Sequence, residues 1–161
     1  MKRFIKIVLS ISFIFYLLAL VVLLFLGTRG NVWTDLTLFE YMKSSSNFVP
    51  FKTIGTYINA IFSGSMNMDI PIKNLVGNFI MFLPMGIYLP YFIKRINKVS
   101  IFSIALIILL FVIEVIQLVT RRGSFDIDDF ILNMLGALIG FGLWKMKFVQ
   151  KLHSSFAVKD L

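Results

Sequence analysis

Cysteine is absent from this 161-residue sequence and histidine occurs once, at His153. The first absence excludes disulfides, thiol nucleophiles and thiolate metal sites. The second removes any histidine-based relay or zinc cage, and His153 itself, beside Ser154 and Ser155 in a polar tail, is assigned no role. Charge is scarce as well: only 15% of residues are Asp, Glu, Lys or Arg, and just eight of these are acidic. No internal repeat is visible, so the symmetry expected of an inverted-repeat transporter is missing.

What the chain has in excess is apolar surface. Hydrophobic residues make up 58% of it and its mean hydropathy is +0.89, more than one small soluble domain can bury, which makes it a membrane protein. Four apolar runs, 4–26, 72–93, 99–120 and 127–146, each reach the ~20 residues that a helix needs to cross the hydrocarbon core. Lys2, Arg3 and Lys6 precede the first run as they would in a signal peptide. The run is longer than a signal h-region and no A-x-A site follows, so it reads as a retained span. The expected fold is all-α, a single domain over 1–161 with four transmembrane helices in an antiparallel bundle.

The net charge of +8 does not point to nucleic acid, because the basic residues cluster at the ends of the apolar runs, where they act as topology signals. With the N-terminus cytoplasmic, the inner side holds Lys2, Arg3, Lys6, Lys94, Arg95, Lys98, Lys145, Lys147, Lys151 and Lys159. The outer side holds Arg29, Lys43, Lys52, Lys73, Arg121 and Arg122. The bias favours both termini and the tail 147–161 inside a bacterial cytoplasmic membrane. The outer loop 27–71 then needs structure of its own. From 53 to 62 the residues Ile54, Tyr57, Ile58, Ile61 and Phe62 recur at helical spacing, after Pro50 and before Ser63-Gly64-Ser65. This predicts an interfacial helix.

Polar residues inside the spans are the informative exceptions, since a buried ionisable group in lipid is costly and marks function by default. Glu114 and Gln117 share one helical face, with Arg121 a turn above. Asp126, Asp129, Asn133, Gly136 and Gly140 form a single stripe on the fourth helix. Asn78, Glu114 and Asn133 each lie about 9 Å inside the outer boundary at 1.5 Å per residue. An outward-opening polar pocket among the last three helices follows, with Glu114 protonated, exposed to water, or paired with Arg121 or Arg122. Asp126 and Asp128 also have an ordinary role as helix caps, and Asp129 as a first-turn acid. Gly136 and Gly140 suit close helix packing, within the chain or between copies. Pro84 should kink the second helix.

Four patches in order carry a resemblance: Asn47-Phe48-Val49-Pro50-Phe51; the run Asn78 to Gly86 (NFIMFLPMG); Glu114-Val115-Ile116-Gln117; and Asp126-Ile127-Asp128-Asp129 followed by Asn133 and Gly136. The chain resembles the VanZ-like family of bacterial membrane proteins, named for an association with teicoplanin resistance in Gram-positive bacteria. The resemblance implies a cell-envelope protein that lowers susceptibility to lipid-tailed glycopeptide antibiotics, and it implies no particular reaction.

Three mechanisms are compatible with the residues. In the leading one, Asn47, Asn78, Glu114, Gln117, Arg121, Arg122, Asp126, Asp129 and Asn133 bind or remodel an envelope lipid or lipid-linked wall precursor, without cofactor or metal. In the second, a membrane-embedded enzyme uses Glu114 or Asp129 as general base on a lipid or lipid-linked sugar. Arg121 or Arg122 would hold a phosphate, and Asp126, Asp129 and Glu114 could bridge a divalent cation. The third is a small transporter or flippase with Glu114 as its protonation switch, assembled as a homo-oligomer through Gly136 and Gly140.

Overall fold

In lipid, every backbone N–H and C=O must find a partner within the protein, and helices achieve this locally. The computed structural model describes residues 2–27, 35–147 and 149–150; Arg29 and the tail residues Lys151, His153, Ser154, Ser155 and Lys159 lie outside the described residues. Helix α1 (Lys2–Val21) continues into a π-helical turn, Val22–Leu26. The short elements α2 (Leu38–Ser44), β1 (Ser46–Asn47) and α3 (Lys52–Ser63) follow. Then come α4 (Asp69–Met81), α5 (Met85–Phe92), a 3-10 turn (Lys94–Asn97), α6 (Val99–Val119), β2 (Phe125–Asp126) and α7 (Ile127–Lys145). Four stretches are long and apolar enough to cross a membrane: Lys6–Leu26, Asp69–Phe92, Val99–Val119 and Ile127–Lys145. They match the four apolar runs of the sequence, the second starting three residues earlier than 72.

The second span is broken rather than bent. Pro84 has no N–H to bond Ile80, and its ring crowds the preceding turn. The chain answers with tight turns: the N–H groups of Leu83, Met85 and Gly86 donate to the carbonyls of Ile80, Phe82 and Leu83. Since Met85 donates to Phe82, the Met81 carbonyl loses its helical partner, and the Tyr16 hydroxyl of α1 supplies one at 2.9 Å. The first span is held to α5 by the Ser12–Tyr88 hydroxyl contact, 3.0 Å, and by Phe13 packed between Tyr88 and Phe92. Much of its remaining surface, including Phe4, Ile14 and Phe15, is exposed and suited to lipid.

Helix α7 packs against α4, α5 and α6. The core consists of Phe82, Phe102, Leu106, Leu110, Ala137 and Phe141, with the Phe102 and Phe141 rings stacked at 4.6 Å. A Cβ built on Gly136 would stand 1.9 Å from the Phe79 carbonyl oxygen, and one on Gly140 2.0 Å from that of Leu83. A Cβ on Gly86 would meet the Ala137 oxygen at 2.1 Å. The glycine stripe proposed as a face between copies is therefore filled within the chain by the broken second span, whose backbone it admits to close approach.

The connection between the first two spans folds back on the bundle. Thr37 and Glu40 form a reciprocal capping box at the start of α2. The Thr37 hydroxyl, followed by its backbone N–H, holds the Glu40 carboxyl below its ordinary range. The Tyr41 hydroxyl donates to the Gly123 carbonyl at 2.9 Å. Strands β1 and β2 pair in parallel, Ser46 with Phe125 and Asn47 with Asp126. Helix α3 extends the expected 53–62 by one residue at each end. At the opposite end of the bundle, the Trp144 indole N–H donates to Asn97 at 3.3 Å, beside Lys94, Arg95 and Lys145.

Candidate functional site: a buried polar cluster at the β1–β2 end of the bundle

Helix α6 buries Phe102, Leu106, Leu110, Glu114, Gln117 and Leu118, spaced mostly by three or four residues, so one helical face leads from apolar core to polar end. Glu114 is only 3% exposed, and its Oε2 accepts the Asp126 backbone N–H at 3.4 Å. Asp126, itself buried, accepts from Asn47 Nδ2 at 3.0 Å and from the Thr53 hydroxyl at 2.6 Å. Asn47 also donates to Thr53 Oγ1, closing a triangle of side chains from β1, α3 and β2. Asp126 meanwhile caps its own helix by accepting the Asp128 N–H.

Asp128 has no exposure at all. Rather than serving α7, its carboxylate caps α3 from across the fold: Oδ1 accepts the Phe51 N–H at 2.6 Å, and Oδ2 accepts those of Thr53 at 2.7 Å and Ile54 at 3.1 Å. These are donors that the first turn of a helix leaves without intrahelical partners. Phe51 adopts the left-handed region, φ 63°, to reach this position. Neither Asp128 nor Thr53 belongs to the site set drawn from the sequence. The dense acid run at 126–129 was the available signal, but spacing alone cannot show which helix an acid caps.

One turn along α7, the side chains differ in character. Asn78 of α4, 1% exposed, donates from Nδ2 to Asp129 Oδ1 in a short hydrogen bond. Asp129 is half-buried and so the more accessible of the two. Asn133, one turn deeper and 4% exposed, has an Oδ1 that accepts no hydrogen bond among the described residues. Leaving a buried acceptor unmet costs about 1–3 kcal/mol.

Other expected site residues are placed elsewhere. The Gln117 side chain is consumed at 2.8 Å on the Leu24 carbonyl, an acceptor from the last turn of the first span, where carbonyls lack intrahelical donors. Arg121, at φ 56°, holds its guanidinium over the Tyr41 ring, 5.8 Å from the centroid. Arg122 is exposed, and its backbone N–H closes the turn onto the Gln117 carbonyl. In place of the open pocket expected among the last three spans, Asn78, Glu114, Gln117, Asp126, Asp128 and Asn133 form a packed cluster, each at most 9% exposed. A groove of about 810 Å³ lies between the first span and α4, lined by none of these residues. Among the described residues, no group of three or more carboxylates or histidines is gathered as a metal site, so Asp126, Asp129 and Glu114 do not form the cation bridge considered above.

The chain is 28% identical over 129 residues to "Protein VanZ" of Enterococcus faecium, covering 80% of this chain and 68% of that protein. No solved structure matches it significantly. The VanZ/LLP1 family profile matches residues 13–149, a range that contains every polar residue of the cluster from Asn47 to Asn133. With four helices long and apolar enough to cross a membrane and the connection between the first two tied to the last by buried acids and amides, the chain belongs to the VanZ/LLP1 family.

Proposed function

We propose that this protein works in the bacterial cell envelope by holding the polar head of a membrane lipid or lipid-linked wall precursor against the half-buried Asp129, at the edge of the α4–α7 seam, and that it thereby lowers susceptibility to teicoplanin-type antibiotics. The observation that carries this reading is Asn133 Oδ1, a buried acceptor without a donor among the described residues, one helical turn beneath the half-buried Asp129 and its partner Asn78. Two acceptors stacked at the edge of an apolar bundle suit a ligand rich in hydroxyl or amine donors. A head of that kind would meet the Asn133 carbonyl and compensate the cost of leaving it bare.

The basic bias supports the orientation with this end of the bundle facing outward. On the same end Phe48, Phe51 and Phe62 are 67%, 65% and 86% exposed, which supports an interfacial role for α3 and its preceding turn. In this reading Glu114, Asp126 and Asp128 fix the loop, while Asn78, Asp129 and Asn133 contact the ligand. The test is a lipoglycopeptide challenge of cells carrying Asp129→Asn. That variant keeps the shape but removes the charge, and protection should drop to the level of cells without the protein at unchanged membrane abundance. Full protection by Asp129→Asn would end the proposal.

A further inference from the structure

The groove of about 810 Å³ runs between the outer end of the first span and α4. One wall is Leu23 and Gly27; the other is Val76, Gly77, Ile80 and Met81. Leu23 and the α4 wall belong to stretches able to cross a membrane, and Gly27 directly follows the first of them, so the groove faces lipid rather than water. At its rim Lys73 and Asp69 form an ion pair at 3.1 Å, with side chains 74% and 70% exposed.

We propose that this groove holds one acyl chain of an aminophospholipid, with the lipid phosphate on Lys73 and its primary ammonium on Asp69. From Lys73 to Met81 the helix rises roughly 12 Å at 1.5 Å per residue, enough to line the head-proximal part of an acyl chain, whose end continues into the bilayer. Gly77 keeps this wall open: a Cβ there would meet nothing within 4 Å among the described residues, and an apolar tail in the groove would occupy that space.

The head decides which lipid, because tails are as apolar in the bilayer as in the groove and give no hydrophobic preference. An exposed ion pair is weak and readily exchanged. A purely anionic head on Lys73 would bring its phosphate beside the Asp69 carboxylate. A zwitterionic head replaces the pair with two new ones and leaves neither charge unmatched. The groove is not lined by Asn78, Asp129 or Asn133, and it rests on none of the reading given for Asn133.

The test uses the whole chain reconstituted in vesicles of equal parts phosphatidylethanolamine, phosphatidylglycerol and phosphatidylcholine, then released into detergent and weighed by native mass spectrometry. The unmodified protein should retain one lipid, with phosphatidylethanolamine favoured about fivefold over phosphatidylglycerol, the factor that one exposed charge contact can supply. Gly77→Phe should lose the retained lipid with helicity unchanged by circular dichroism. Asp69→Asn should keep a retained lipid but lose the preference between the two heads. Equal retention of all three lipids by the unmodified protein, retention by folded Gly77→Phe, or a preference surviving in Asp69→Asn would each overturn the assignment. Should Gly77→Phe not fold, the exposed Asp69→Asn variant decides alone.

Discussion

Replacing Asp128 with alanine should release α3 from the bundle without unfolding the spans. Its carboxylate accepts three backbone N–H groups, from Phe51, Thr53 and Ile54, at 2.6, 2.7 and 3.1 Å. A hydrogen bond to a charged acceptor contributes about 1.5–3 kcal/mol. Three at the lower end would total about 4.5 kcal/mol, but Phe51 is 65% exposed and water can recover part of the loss. A local cost of about 3 kcal/mol follows, roughly a 100-fold rise in the open population of the first turn of α3. Asp128→Asn retains one carbonyl acceptor and should cost about half as much. The assay is amide hydrogen exchange in lipid nanodiscs, comparing residues 51–54 with 102–114 of α6. Unchanged protection of 51–54 in Asp128→Ala would refute the cap, and equal loss in α6 would show that Asp128 holds the whole bundle instead.

Two further substitutions test the packing. Tyr16→Phe strips the donor from the Met81 carbonyl that the Pro84 break leaves free and should destabilise the bundle by about 1–3 kcal/mol; a denaturant titration showing no change would mean that another group serves that carbonyl. Gly136→Ala drives a Cβ into the Phe79 carbonyl and should cost about 1–3 kcal/mol or more, whereas Gly142→Ala, with nothing within 4 Å, should be neutral or slightly stabilising. Similar melting shifts for the two alanines would contradict the close α4–α7 approach.

The spans were legible because lipid imposes a simple length and composition rule, and their observed bounds lie within a few residues of the apolar runs. Helix α3 was legible for the same local reason, as its apolar residues recur at helical spacing. The expected kink at Pro84 is a full break because neighbouring side chains, above all Tyr16, satisfy the backbone that it frees. What sequence periodicity could not reveal is long-range. The parallel pairing of residues 46–47 with 125–126 and the capping of α3 by Asp128 join segments more than seventy residues apart. Gln117 and Asp128 illustrate the limit in opposite directions. The first looked available for a ligand and is spent on the Leu24 carbonyl; the second was assigned to capping its own helix and instead pins another element.

The head-group site depends on Asn133, and Asn133→Leu is the decisive variant. Replacing an unmet buried polar group with an apolar side chain of similar size should leave the fold intact or stabilise it, since Oδ1 makes no hydrogen bond among the described residues. The measurement is protection against a lipid-tailed glycopeptide alongside the thermal stability of the purified variant. Protection should be lost while stability is kept or raised. Full protection with raised stability would show that the bare carbonyl serves no ligand.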